Sequence, residues 1–126
     1  MDKELFELCK AVYEKTGWNG TTNFVYIEDS HHMTHPEWDT LEVATHDMSG
    51  KATPLYTSDY LLEKLPKQLG HTKPDRRWLT LARGSNDDWI AYYETWRHRA
   101  FNQTLADTPL KALLKLTLAL NKAGEL

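Results

Sequence analysis

The 126-residue chain is long enough for one hydrophobic core and too short for two, so a single domain over residues 1–126 is expected. Hydrophobic residues make up 40% of the chain, but no apolar run approaches the roughly 18 residues that span a bilayer, which excludes a transmembrane helix. The net charge of −3 combines −8 over residues 1–63 with +5 over residues 64–126, so the sequence does not favour broad coating of nucleic acid.

Three segments have the apolar spacing and end signals of helices. Residues 2–15 repeat apolar side chains at helical intervals and precede Gly17, a residue that commonly ends a helix. Residues 58–65 can be capped by either Thr57 or Ser58, and they stop before Pro66. Residues 109–122 begin with Thr108 and a proline at the first helical position. The sequence therefore predicts one helix near each end and a short helix between them.

Strand patterns occupy much of the remaining chain. Residues 23–28 and 40–46 are rich in β-branched and aromatic residues, and residues 51–57 are expected to be extended. Residues 78–96 read as two strands joined by a polar turn at 83–88, and residues 97–105 as one more strand. Both faces of the 78–96 hairpin carry large side chains, so we expect most of its aromatic rings to be buried. The fold class predicted is α+β, with an antiparallel sheet covered by the three helices.

The second half of the chain resembles a family of small phage and prophage proteins, those with the phage ABA sandwich domain. The similarity covers roughly residues 51–126 and lies in two helix-opening motifs that flank the aromatic hairpin. The matching residues are Pro54, Tyr56, Ser58 and Asp59 in the first motif, and Asp107, Thr108, Pro109 and Ala112 in the second. The resemblance implies an antiparallel sheet between helical layers and a phage setting, and it implies no particular activity. Residues 23–47 depart from the family pattern.

A histidine-rich segment is the first candidate site. His31, His32, His35 and Asp39 are ligand types that zinc or manganese uses. Pro36 disfavours the helical geometry that would place His31 and His35 one turn apart, and the segment lacks the glutamate of a zinc hydrolase motif. A solvated loop, a pH-sensitive surface and a metal site all remain open, and a metal-dependent enzyme is the weakest of the functional alternatives.

Arginines near the hairpin form the second candidate site. Guanidinium groups bind phosphate, and aromatic rings stack on bases, so this composition is typical of a phosphate or nucleotide contact surface. Charges that only keep strand ends hydrated are the alternative reading. The residues assigned to this site are Arg76, Arg83, Arg97, Arg99 and Trp96.

Motifs of common enzymes are missing from the sequence: it has no glycine-rich phosphate loop, no cysteine pair and no GxSxG or HExxH motif. We therefore expect no cofactor and favour a non-enzymatic protein. The acidic, amphipathic start lacks the features of a secretory signal and predicts a cytoplasmic protein. Together with the phage setting that the resemblance implies, this is the cytoplasm of the bacterial host. The leading hypothesis is a phage-encoded accessory protein that binds and inhibits a host protein, such as part of an antiviral defence system. A nucleotide-binding protein is the alternative, and self-association into a homo-oligomer stays open.

Overall fold

A computed structural model describes residues 3–20, 24–26, 42–44, 53–70 and 76–126. The chain forms two compact units, Met1–Tyr56 and Thr57–Leu126. The α+β class is confirmed, because the described residues form three helices and antiparallel sheets. That the two units constitute a single domain stays a prediction.

The first unit contains the N-terminal helix, α1 (Lys3–Thr16), which buries Phe6, Cys9 and Val12. The helix ends where predicted: Gly17 adopts a φ of 70°, and its N–H donates to the Tyr13 carbonyl at 2.8 Å. A residue with a side chain rarely adopts this backbone conformation, so glycine suits the position.

A three-stranded antiparallel sheet completes the described part of this unit. Its strands are β1 (Phe24–Tyr26), β2 (Glu42–Ala44) and β3 (Thr53–Pro54), in the order β2-β1-β3. The first two lie within the strand predictions for residues 23–28 and 40–46, which are confirmed there. Strand β3 contacts α1.

The second unit opens with the short helix α2 (Ser58–Lys64). Of the two predicted caps, Thr57 is the one the structure shows, because its hydroxyl oxygen accepts from the Tyr60 N–H at 3.1 Å. Leu61 and Leu65 are fully buried. This helix packs against the C-terminal helix.

A four-stranded antiparallel sheet follows, in the order β4-β5-β6-β7. Its strands are β4 (Gln68–Leu69), β5 (Arg77–Arg83), β6 (Trp89–Thr95) and β7 (Ala100–Ala106). The β5–β6 hairpin confirms the prediction for residues 78–96. Strand β4 was not predicted, because two residues are too few to show an alternating pattern. Strand β7 begins later than predicted because residues 95–98 form a turn.

The C-terminal helix, α3 (Pro109–Lys122), lies against β6 and β7. Thr108 caps it by accepting from the Lys111 N–H at 3.2 Å. The buried side of α3 includes more than its leucines, because Lys111 and Thr117 are also buried. The Lys111 ammonium keeps an ion pair with Asp107 at 3.2 Å, so its charge is not buried alone.

The two faces of the four-stranded sheet differ. Tyr93 and Ala91 lie fully buried on the α3 face, and the Tyr93 hydroxyl donates to the Pro66 carbonyl just beyond α2. Both helices of this unit therefore lie on the same face of its sheet. The expectation that most hairpin rings are buried is wrong. Of the five rings, Tyr93 alone is fully buried, Trp89 and Tyr92 are half-buried, and Trp78 and Trp96 are 41% and 50% exposed.

None of the helices in the described part of the chain combines the length and the apolar character needed to cross a bilayer.

Candidate binding surfaces

All five arginines of the chain lie between residues 76 and 99, and the sheet register separates them. Arg77 pairs with Thr95, which brings the start of β5 beside the β6–β7 turn. Arg83 pairs with Trp89 at the other end of the same hairpin. Six steps along a strand span about 20 Å. The structure thus brings Arg76, Arg97, Arg99 and Trp96 to one end of the sheet and leaves Arg83 at the other.

A tight turn fixes the backbone at this end of the sheet. The Thr95 N–H donates to the Arg99 carbonyl at 2.9 Å, and the Thr95 carbonyl accepts from the His98 N–H at 2.9 Å. The Thr95 hydroxyl accepts from the Arg99 N–H at 3.1 Å. His98 takes the left-handed conformation, with φ of 64°. Trp96 and Arg97 are consequently held at the tip of a braced turn.

The two tip side chains contact each other. The Arg97 guanidinium carbon lies 4.7 Å from the centroid of the Trp96 ring, within the range of a cation–π contact. Arg97 is exposed, and half of Trp96 remains accessible.

The arginines differ in whether a carboxylate neutralises them. Arg77 contacts Glu125 at 2.9 Å, and Arg83 contacts Asp87 at 3.1 Å. Arg76, Arg97 and Arg99 have no carboxylate oxygen within 4.0 Å among the described residues. Arg97 lies in this turn, and Arg76 and Arg99 lie close to it in the chain, so within the described ranges no acidic side chain pairs with these three arginines.

On the α3 face of the sheet, next to this turn, two arginines contact the ring of Phe101. Arg77 and Arg99 place their guanidinium carbons 5.1 and 5.4 Å from the centroid of Phe101. Sequence reasoning missed Glu125, the partner of Arg77, because 48 residues separate the two in the chain. No local signal could have identified it.

Tyr93 lies beside this ion pair. Burial, followed by the negative charge of Glu125, raises the pKa of Tyr93 to about 12, and Arg77 opposes the shift. Its hydroxyl donates to the Pro66 carbonyl at 2.6 Å and stays protonated at neutral pH. Tyr93 is therefore a structural hydrogen-bond donor.

The face of the sheet opposite α3 is a second candidate surface. The register places Trp78 opposite Glu94, Thr80 opposite Tyr92, and Ile90 opposite Leu105. Directly opposed residues share a face, so these side chains form one continuous surface, which we call the open face. Trp78 is 41% and Leu105 is 52% exposed, while Ile90 and Tyr92 are half-buried. The alternation of residues along β5 and β6 predicts which side chains share a face, but it does not show which of the two faces the helix covers.

The metal-site hypothesis falls on residues that the structure does not describe: His31, His32, His35 and Asp39 lie outside the described ranges. Within those ranges, no three His, Cys, Asp or Glu side chains are grouped as a metal site requires.

Burial raises the pKa of Cys9 to about 11, against a smaller opposing effect of a hydrogen bond with the Tyr56 backbone. This thiol is thus protonated at neutral pH and unsuited to nucleophilic attack.

Comparison with known proteins found no matching family model, no similar curated protein and no similar solved structure.

Proposed function

We propose that this chain is a non-enzymatic phage or prophage accessory protein that binds and inhibits a host protein in the bacterial cytoplasm, such as a component of an antiviral defence system. The phage setting rests on the resemblance of residues 51–126 to the phage ABA sandwich domain. The inhibitory role rests on that setting and on the lack of enzyme motifs in the sequence.

The open face is the observation that carries the binding role. Trp78 and Leu105 expose large apolar side chains on one continuous sheet surface, beside the half-buried Ile90 and Tyr92. Thr80 and Glu94 share this face. Exposing large apolar side chains to water is unfavourable, and exposed apolar groups with polar neighbours commonly mark protein interfaces. Tryptophan and tyrosine are also enriched among the residues that contribute most to protein–protein affinity.

The surface also suits a protein partner in its rigidity. The side chains project from hydrogen-bonded strands, β5, β6 and β7, so their positions are set before binding. A preformed surface loses little conformational entropy on association. The partner expected is a folded protein with a complementary apolar patch.

Leu105→Glu tests this role, and Leu126→Glu is its matched control. Both leucines are exposed to a similar degree, 52% and 43%, but only Leu105 lies on the open face. Tagged wild type and both variants are used to capture partners from host lysate, with quantitative mass spectrometry as the readout. A host protein that is recovered by wild type and by Leu126→Glu, and lost with Leu105→Glu, is the expected result.

A functional assay accompanies the capture. Host strains that carry a defence system and express wild type or the Leu126→Glu variant should plate phage more efficiently than strains that express Leu105→Glu. Identical capture profiles for all three proteins would contradict the proposal. Conversion of a wild-type dimer into a monomer by Leu105→Glu, measured by light scattering, would show that a second copy occupies the face and would also overturn it.

A further inference from the structure

Trp96 occupies a position that the fold itself does not explain. Tight turns favour Gly, Asn, Asp, Ser and Pro, and the three hydrogen bonds of this turn involve Thr95, His98 and Arg99 rather than the side chains of its tip. Half of Trp96 is nevertheless exposed to water, with the Arg97 guanidinium stacked on its ring. The geometry of the turn therefore requires neither the indole of Trp96 nor the guanidinium of Arg97.

Arg76 lies next to this pair. Arg77 and Thr95 are the last pair of the β5–β6 ladder. Arg76 comes just before Arg77, and Trp96 comes just after Thr95, so both lie immediately beyond this pair. Adjacent antiparallel strands are about 5 Å apart, so the backbone of Arg76 lies near the start of the turn that carries Trp96.

Among the residues that the structure describes, no acidic side chain pairs with Arg76 or Arg97. Of the described carboxylates at this end of the sheet, Glu94 contacts His98 at 3.1 Å and Glu125 contacts Arg77 at 2.9 Å. Neither lies within 4.0 Å of Arg76 or Arg97. The contrast with Arg83 is direct, because Arg83 also lies over a tryptophan, Trp89, but is paired with Asp87.

We propose that Trp96, Arg97 and Arg76 form a nucleotide-binding site. The base stacks on the accessible part of the Trp96 ring, and the phosphate accepts hydrogen bonds from Arg97 and Arg76. A stacked guanidinium uses only its planar face, so the N–H groups at its edge remain free to donate to phosphate oxygens. A ring and a phosphate held a few ångströms apart are the two parts of a nucleotide, and base–aromatic stacking tolerates any base.

This site is separate from the open-face role and does not depend on it. Arg99 contributes at longer range: its backbone N–H braces the turn, and its guanidinium adds positive charge near Phe101. Because the site is exposed, we expect binding to weaken as salt concentration rises.

The test is calorimetric titration of the full chain with AMP, CMP, adenosine and inorganic phosphate. We expect the nucleotides to bind at least about tenfold more tightly than adenosine or phosphate alone, since each fragment loses one of the two contacts. Arg97→Gln and Trp96→Leu should each weaken nucleotide binding by about tenfold or more. Arg83→Gln, an equivalent change at the other end of the hairpin, should leave it unchanged, and thermal unfolding establishes that each variant is folded.

Several results would overturn the site. They are no binding of AMP, CMP or a short oligothymidylate, equal binding of inorganic phosphate and nucleotide, or equal weakening by Arg83→Gln and Arg97→Gln. If a short oligothymidylate binds and the mononucleotides do not, with the same dependence on Trp96 and Arg97, the site stands and its nucleotide belongs to a single strand. Loss of nucleotide binding in Leu105→Glu is not expected, so this experiment and the partner capture can fail independently.

Discussion

Replacing Tyr93 with phenylalanine removes one buried hydrogen bond and one buried titrating group. Tyr93 is fully buried under α3, and its hydroxyl donates to the Pro66 carbonyl at 2.6 Å. The variant leaves that carbonyl without its partner. We therefore expect the free energy of unfolding at pH 8 to fall by about 1–2 kcal/mol.

The pH dependence of this difference is the sharper expectation. The pKa of Tyr93 is raised from 10.0 to about 12 in the folded protein, first by burial and then by Glu125. A raised pKa means that the folded state holds the proton more tightly, so this stabilisation is fully present below pH 10 and is lost as the pH rises toward 12. Wild type should lose about 1.4 kcal/mol of this contribution by pH 11, and the phenylalanine variant has none to lose.

Urea denaturation of both proteins at pH 8 and pH 11 measures the effect. Other titrating groups act in both proteins alike, so the difference between the two isolates Tyr93. The gap of about 1–2 kcal/mol at pH 8 should shrink by about 1.4 kcal/mol at pH 11. A gap that stays constant would refute the reasoning. Tyr92→Phe, on the open face of the same strand, is the matched control and should alter stability by no more than about 0.5 kcal/mol.

Three other outcomes follow from burial and capping. Leu116→Ala, at a fully buried position in α3, should lower the free energy of unfolding by about 2–5 kcal/mol, whereas Leu126→Ala should change it by less than about 0.5 kcal/mol in the same denaturation assay. Thr108→Ala should cost about 1 kcal/mol by removing the acceptor for the Lys111 N–H, and Thr108→Ser should restore most of it. Cys9, with its pKa raised to about 11, should react with a disulfide reagent at pH 8 only after denaturant is added; rapid reaction of the folded protein would contradict its burial.

The helices were predictable because their signals are local. Thr57 and Thr108 cap the helices that they precede, and Gly17 ends α1 with the expected left-handed backbone. Each of these signals involves residues within one turn of one another, so the sequence carries them directly. The β5–β6 hairpin was predictable for a similar reason, since its two strands are joined by one short polar turn.

Predictions that depended on which sheet face is covered were less successful. Alternation along β5 and β6 separated Trp78 from Leu79 and Tyr92 from Tyr93, but both sets contain large side chains. Helix α3 covers the set that contains Tyr93, and Trp78 is left 41% exposed. Because apolar composition was similar on the two faces, the sequence could not decide between them.

For the candidate arginine site too, the sequence identified the residues, and the tertiary structure decided which of them lie together. The sequence identified Arg76, Arg97, Arg99 and Trp96 by composition, and the register of β5 with β6 is what brings them to one end. It also included Arg83, which that register places at the opposite end beside Asp87.

The sequence by itself determined the α+β class, the helix limits and the hairpin, since these follow from local propensity, capping and alternation of residues. Only the tertiary structure decided that Arg77 is neutralised by Glu125, that Arg76 and Arg97 are not neutralised within the described residues, and that Trp78 and Leu105 are left exposed on the face opposite α3. Those facts depend on distances between residues far apart in the chain, which are set by how α3 and the strands pack and are not encoded in any short segment.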